Sequence, residues 1–294
     1  MVDKRNDIFS WSIIVKTALL SAVLIFLFAN QSALSSTQSA SVVLSQPEVK
    51  PVLNEEVINL PAKAYVIFDV KTGQILSSNN SDVVLPIASV TKLITAVTVM
   101  DDLSPAATTT ITAEDVATEG GAGKLQVGEE YNYHELVFPL LLESSNDAAV
   151  AFERVTDGDL IKKMNTFSES IGAQNTKFSD ASGLSSLNVS TASDLALISS
   201  YIYKNNPEVF DVTRLSKYIG AHTGWINNNP VLSENYLGGK HGYTESALKT
   251  IVSIFEEDFG TEKKEIGYVV LGSNDLRADI KTLRKFVTKG ENIN

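Results

Sequence analysis

Apolar and polar positions divide the chain into a terminal apolar run, a polar stretch and a long mixed remainder. After the polar "MVDKRND", residues 8–29 are apolar apart from Lys16 and a few small hydroxyls. The short run beyond Lys16 suits a signal-peptide core, whereas the whole segment, with Lys16 reaching to the interface, is long enough to span a bilayer. The best small-residue cleavage pattern after it, around Ala33-Leu34-Ser35, is poor. The expectation is therefore an uncleaved membrane anchor over 1–29, with the rest of the chain exported. Residues 30–60 are rich in Gln, Ser, Thr, Ala and Pro and read as a flexible spacer that cannot bury a core. The folded domain is expected over 61–294.

Within that domain the period changes several times. In "KAYVIFDVKTGQILSSNN" (63–80) two β-rich runs flank Asp69-Val70-Lys71-Thr72-Gly73, a hairpin signal. "SVTKLITAVTVMDDL" has a helical pattern, as does "NYHELVFPLLLESSNDAAVAFERV" with a break near Ser144. "TASDLALISSYIYKN" puts a hydroxyl cap in front of an amphipathic helix. Near the end, "YTESALKTIVSIFEEDFG" and "KEIGYVVLGS" are strand-like and "LRADIKTLRKFVTKG" is helix-like. Strands thus open and close the domain while helices fill its middle. That order predicts an α/β (α+β) fold, its sheet drawn from both chain ends around a helical insert.

Composition narrows the chemistry. At 294 residues and 44% hydrophobic, the chain has ample material for a core. A formal charge of -11 argues against a nucleic-acid partner, which needs a basic footprint. There is no cysteine, which excludes disulfides and thiol catalysis. The 3 histidines, His134, His222 and His241, form no HExxH-like pair, so neither a metal nor another cofactor is expected. Serine, threonine, lysine and carboxylates remain as nucleophiles.

Three short stretches carry candidate groups. In "PIASVTKLITAV", Ser89 lies three residues before Lys92; on a helix the two share a face, and the helix start offers free N–H groups. Apolar Ile87, Leu93 and Ile94 would desolvate the lysine and depress its pKa, as a base requires. The same spacing recurs at Ser246-Ala247-Leu248-Lys249, and a serine at a helix start also reads as a plain N-cap. In "LLESSNDAAVAF", Ser144 and Asn146 follow a very apolar helix, where a hydroxyl and an amide can face one cavity or a solvated turn. In "LGGKHGYTES", Lys240 follows two glycines, Gly242 allows close backbone approach, and Tyr243-Thr244 begins a strand. That stretch is a plain turn, a histidine-bearing metal site, or an edge that docks an extended peptide ending in a carboxylate.

The order Ser89-x-x-Lys92, Ser144-x-Asn146, Lys240-x-Gly242 resembles the three-motif layout of penicillin-binding proteins and serine β-lactamases. It is closest to the D-alanyl-D-alanine carboxypeptidases. "AYVIFDVKTGQIL", "LPIASVTKLITA", "LQVGEEYNYHELVFPLLLESSNDAA", "FSDASGLSSLNVSTASDLA" and "GGKHGYTESA" are similar to that family too, so the likeness runs from about Pro61 to Val287. Lys71-Thr72-Gly73 spells the family's usual third motif but precedes the serine, in a turn.

The resemblance implies a serine β-lactamase/DD-peptidase-like fold, an antiparallel sheet flanked by helices with a helical lobe. It makes Ser89 the acylated nucleophile, Lys92 its base and Ser144 a proton relay. Asn146 would bond the substrate amide, and Lys240, Gly242, Tyr243 and Thr244 would line the substrate edge. The N–H groups of Ser89 and Tyr243 would form the oxyanion hole. The implied substrates are peptidoglycan stem peptides ending in D-Ala-D-Ala, with β-lactams acylating the same serine. The implied location is the cell envelope at the outer face of the cytoplasmic membrane, with the chain anchored through its N-terminal segment or secreted. His241 departs from the family's threonine or serine, which helps hold the terminal carboxylate. It is either a carboxylate contact, better if protonated, or a structural residue. Arg277 stands where the family places an arginine for that carboxylate. "SGLSSLNVSTASDL" lacks the glutamate of a β-lactamase deacylation motif. The expectation is a serine-type carboxypeptidase; the alternative is a binding protein of the same fold whose turnover His241 has impaired.

Overall fold

The computed structural model describes residues 58–289; the expected anchor and nearly all of the spacer lie outside them. Five strands form one antiparallel sheet: β1 (Ala64–Asp69), β2 (Ile75–Asn79), β3 (Tyr236–Thr244), β4 (Leu248–Asp258) and β5 (Lys263–Ser273). Their spatial order is β2-β1-β5-β4-β3, so the first strand lies beside the last and β3 is an edge. β1 and β5 pair in register from Ala64 opposite Leu271 to Asp69 opposite Ile266.

Strand alternation divides the core in two. Val66 and Phe68 of β1, Val252 and Ile254 of β4, and Val269 and Leu271 of β5 pack against the helical lobe. Tyr65, Ile67, Ile251, Phe255, Tyr268 and Val270 point the other way, onto helix α7 (Leu276–Lys289). Leu276, Ile280, Leu283 and Val287 of α7 recur at helical spacing and are all buried against that face. Each fully buried side chain of this size stabilises by about 1.5–3 kcal/mol; truncating Ile254 to alanine would cost about 2–5 kcal/mol.

The helical lobe contains α1 (Thr91–Asp102), α2 (Tyr133–Phe138), α3 (Asn146–Val155), α4 (Leu160–Ser170), α5 (Ala192–Asn205) and α6 (Glu208–Arg214). Every residue of α1 from Thr91 to Val99 is buried, which makes it the lobe's central helix. The expected cap of α5 is present: Thr191 accepts from the Asp194 N–H at 3.0 Å. Short ribbons join Leu85–Pro86 to Val189–Ser190, Thr108–Thr110 to Glu130–Asn132, and Lys217–Ile219 to Gly224–Ile226.

One expected boundary is corrected. Tyr243-Thr244 end a strand rather than begin one, and a turn at 245–247 separates them from β4. The signal was masked because β3 holds Gly238 and Gly239, both at φ 146°, in its interior. A side chain at Gly239 would fall on the Val252 carbonyl and one at Gly238 on Phe210 of α6, so packing requires the glycines that obscure the strand.

Candidate active site

Ser89 lies in a single 3-10 turn, Ala88–Val90, that feeds directly into α1. Ala88 sits at φ 49°, a left-handed conformation that costs a non-glycine residue about 1–3 kcal/mol unless its surroundings hold it. They do. The Ile87 N–H donates to the Asn188 carbonyl at 3.0 Å, Thr250 Oγ1 of β4 donates to the Ile87 carbonyl at 2.7 Å, and Gly183 lies against the Ala88 carbonyl with no room for a Cβ. Neither the turn nor α1 is capped by a side chain, so the N-cap reading of Ser89 does not hold.

Lys92 follows one turn later, with Nζ 3.2 Å from Ser89 Oγ. It is fully buried and donates to Asn146 Oδ1 at 2.7 Å and to the Ser182 carbonyl at 2.5 Å. Burial pushes its pKa well down, Lys240 pushes it further, and Asp180 draws it back up. Both downward influences favour the proton-free amine, the form a general base beside a hydroxyl uses.

Asn146 is delivered by a broken helix. After α2, Pro139–Glu143 form a π turn, and Ser144 ends it at φ 63°. Ser145 Oγ then caps α3 by accepting from the Ala148 N–H at 3.1 Å. Asn146 opens α3, its oxygen on Lys92 and its amide donating to the Glu119 carbonyl at 2.7 Å. Ser144 lies half-buried at the bend and makes no side-chain hydrogen bond among the described residues.

β3 closes the cluster from the sheet. Lys240 opposes Val252 and Gly242 opposes Thr250, so both face the helical lobe. A Cβ on Gly242 would fall on the Ser89 amide nitrogen, which brings this strand onto the Ser89 backbone. Lys240 is 2% exposed, donates to the His241 carbonyl at 2.7 Å, and has its pKa lowered by burial to about 7. His241 opposes Ile251 and therefore lies on the α7 side. Burial first and Lys240 second lower its pKa to about 3, so the imidazole is neutral at ordinary pH and the protonated contact is not available. Tyr243 is 62% exposed at the edge. The Thr244 hydroxyl is engaged in the following turn, where it accepts from the Ala247 N–H at 3.1 Å. Arg277 is not joined to the cluster: its Nε donates to the Pro230 carbonyl at 2.9 Å.

The family model described as D-alanyl-D-alanine carboxypeptidase matches residues 50–274. The chain belongs to this family. It is 38% identical over 160 residues to a D-alanyl-D-alanine endopeptidase of Haemophilus influenzae, spanning 53% of that relative's length. With a D-alanyl-D-alanine endopeptidase of Pseudomonas aeruginosa it shares 29% over 299 residues, 94% of this chain and 90% of the other. Among solved structures it is similar to penicillin-binding protein D2 of Listeria monocytogenes in its cefotaxime-bound form. There the TM-score is 0.70 at 26% identity, over 79% of this chain and 98% of that one.

Within this DD-peptidase fold both false motifs are accounted for. Lys71-Thr72-Gly73 form the β1–β2 turn, where the Thr72 N–H donates to Asp69 Oδ1 at 2.8 Å and Lys71 pairs with Glu265 at 2.9 Å. Lys249 lies on β4 and donates to the Asn274 carbonyl at 2.8 Å, remote in role from Ser89. Residue-type reasoning missed the backbone carbonyls of Ser182 and Glu119 and the hydroxyl of Thr250. Carbonyls carry no letter; the one available signal was the Asp180-Ala181-Ser182-Gly183 turn.

Proposed function

We propose that the protein is a serine-type D-Ala-D-Ala peptidase that trims peptidoglycan stem peptides as a carboxypeptidase. The observation that carries this reading is the fully buried, pKa-depressed Lys92 with Nζ 3.2 Å from Ser89 Oγ. Ser89 Oγ attacks the carbonyl of the penultimate D-alanine while Lys92 takes its proton. The oxyanion forms against the N–H groups of Ser89 and Tyr243, and Ser144 relays the proton to the departing D-alanine amine. Water then hydrolyses the ester, with Lys92 again as base. A β-lactam takes the same route to an acyl-Ser89. The N-terminal segment over 1–29 holds the domain at the outer face of the cytoplasmic membrane.

Endopeptidase action on cross-linked stems is the second reading, favoured by the names of the Haemophilus and Pseudomonas relatives. The test gives the full-length protein a fluorescent penicillin, a D-Ala-D-Ala pentapeptide and a cross-linked stem dimer. Labelling that disappears in Ser89→Ala, together with free D-alanine from the pentapeptide, is the expected result. Cleavage of the dimer alone would favour the endopeptidase, and labelling without any hydrolysis the impaired binding protein.

A further inference from the structure

The Ser89–Lys92 pair is gripped from outside its own helix by the turn 180–188. Its Ser182 carbonyl receives Lys92 Nζ, its Ala181 carbonyl receives Thr95 Oγ1 at 2.7 Å, and Gly183 backs the strained Ala88. One carboxylate organises that turn. Asp180 Oδ1 accepts from the Ser182 N–H and Oγ, each at 2.8 Å, and from the Gly183 N–H at 2.5 Å. Asp180 Oδ2 accepts from the Ser185 N–H at 2.8 Å. With Asn188 Nδ2 also donating to Oδ1 at 3.4 Å, five donors on one half-buried carboxylate exceed what an Asx turn needs. The turn is tied to α1 a second time through Asn188, whose Nδ2 reaches both the Asp180 carbonyl at 2.9 Å and Thr91 Oγ1 at 3.2 Å.

We propose that Asp180 is a positioning residue for the nucleophile and its base. Its carboxylate holds the Ser182 carbonyl on Lys92 and Gly183 on Ala88, and places a negative charge near the buried Lys92. The catalytic part of this inference rests on the serine-peptidase reading above; the effect on Lys92 does not. The charged and titratable groups around Lys92 are Lys240 from β3, Asp180 from the turn, and Glu153 from α3, which accepts from the Ala181 N–H at 2.6 Å. Lys240 disfavours a proton on Lys92 and Asp180 favours one. Glu153 is itself held toward its protonated form, by burial first and by Asp180 in addition.

Two substitutions separate geometry from charge. Asp180→Asn keeps the size and one acceptor oxygen but removes the charge; Asp180→Glu keeps the charge and displaces the acceptors. The Cε resonance of Lys92 is followed against pH by NMR, and penicillin acylation rates are measured over the same range. In Asp180→Asn the Lys92 midpoint, and with it the acid limb of acylation, moves to lower pH by about half a unit or more. In Asp180→Glu the acid limb stays near wild type while the plateau rate falls about 10- to 100-fold. If Asp180→Asn fails to fold, the plateau loss in folded Asp180→Glu decides the question. Folded variants with wild-type midpoint and wild-type plateau would overturn the proposal. A wild-type protein that penicillin does not label would sink the Ser89 reading instead, and the Lys92 midpoints would still decide the role of Asp180.

Discussion

Alternate residues of β3 look onto two unlike environments. Lys240 and Gly242 face the helical lobe, where one is buried and the other cannot carry even a methyl group beside the Ser89 nitrogen. His241 and Tyr243 belong to the α7 side, where one is half-buried and the other 62% exposed. The same strand thus packs against the Ser89 backbone with one set of positions, where contact leaves no freedom, and lies toward solvent with the other. The lesson is that the unusual histidine lies on the permissive side. Its side chain points away from the Ser89–Lys92 pair, so its effect on Ser89 acylation is expected to be small.

Breaking the restrictive side has the largest expected effects. Lys92→Met removes the base while keeping the length of the side chain, and the penicillin acylation rate should fall about 10²–10⁴-fold. A stopped-flow rate within threefold of wild type would remove Lys92 from the mechanism. Gly242→Ala comes next, because its methyl group must displace the Ser89 amide from the oxyanion position. A loss of about 10²–10³-fold is expected, read as the second-order labelling rate, with the thermal transition retained.

The Lys240 ammonium gives a graded version of the same comparison. Since burial lowers its pKa from 10.5 to about 7, its positive charge disappears as pH rises through neutrality. Cleavage of substrates bearing a terminal carboxylate should fall across that limb, while an ester lacking the carboxylate should not follow it. Stability runs in the opposite direction. Between pH 7 and 10.5 the unfolded chain keeps the Lys240 proton that the folded chain has released, so the free energy of unfolding should rise with pH over that window. A urea-denaturation series at three pH values checks the sign. The smallest effect is assigned to the permissive side: His241→Thr should change penicillin acylation by less than about tenfold and alter KM for the peptide more than kcat. Loss of acylation in His241→Thr would mean that the two sides of β3 are not separable.

Much of this arrangement is legible before folding, and what is not has a physical reason. The β1–β2 hairpin, the break at Ser144, the Thr191 cap and the stripe of α7 follow from local rules, so the sequence displays them. The start of β3 does not, since Gly238 and Gly239 answer to α6 and β4 rather than to strand propensity. Ser89, Lys92 and Asn146 are identifiable by type and order, and the structure brings their side chains into one hydrogen-bonded group. The carbonyls of Ser182 and Glu119 that complete it are invisible, because any residue could supply them. For Arg277 the resemblance predicts a contact with the carboxylate; its Nε donates to the Pro230 carbonyl.

The pairing of β1 with β5 also bears on how the molecule is made. Ala64 and Leu271 are neighbours in the sheet yet enter the growing chain roughly two hundred residues apart, a long-range contact of the kind that slows folding. A ribosome that has released the helical lobe has not yet released β3, β4 or β5, so the β1–β2 hairpin waits with the β5 side of β1 unpaired. Lys240 and Gly242 arrive in the same late interval. Ser89 is therefore synthesised early and meets its β3 neighbours last, and a nascent chain halted before β3 should carry Ser89 yet take up no penicillin.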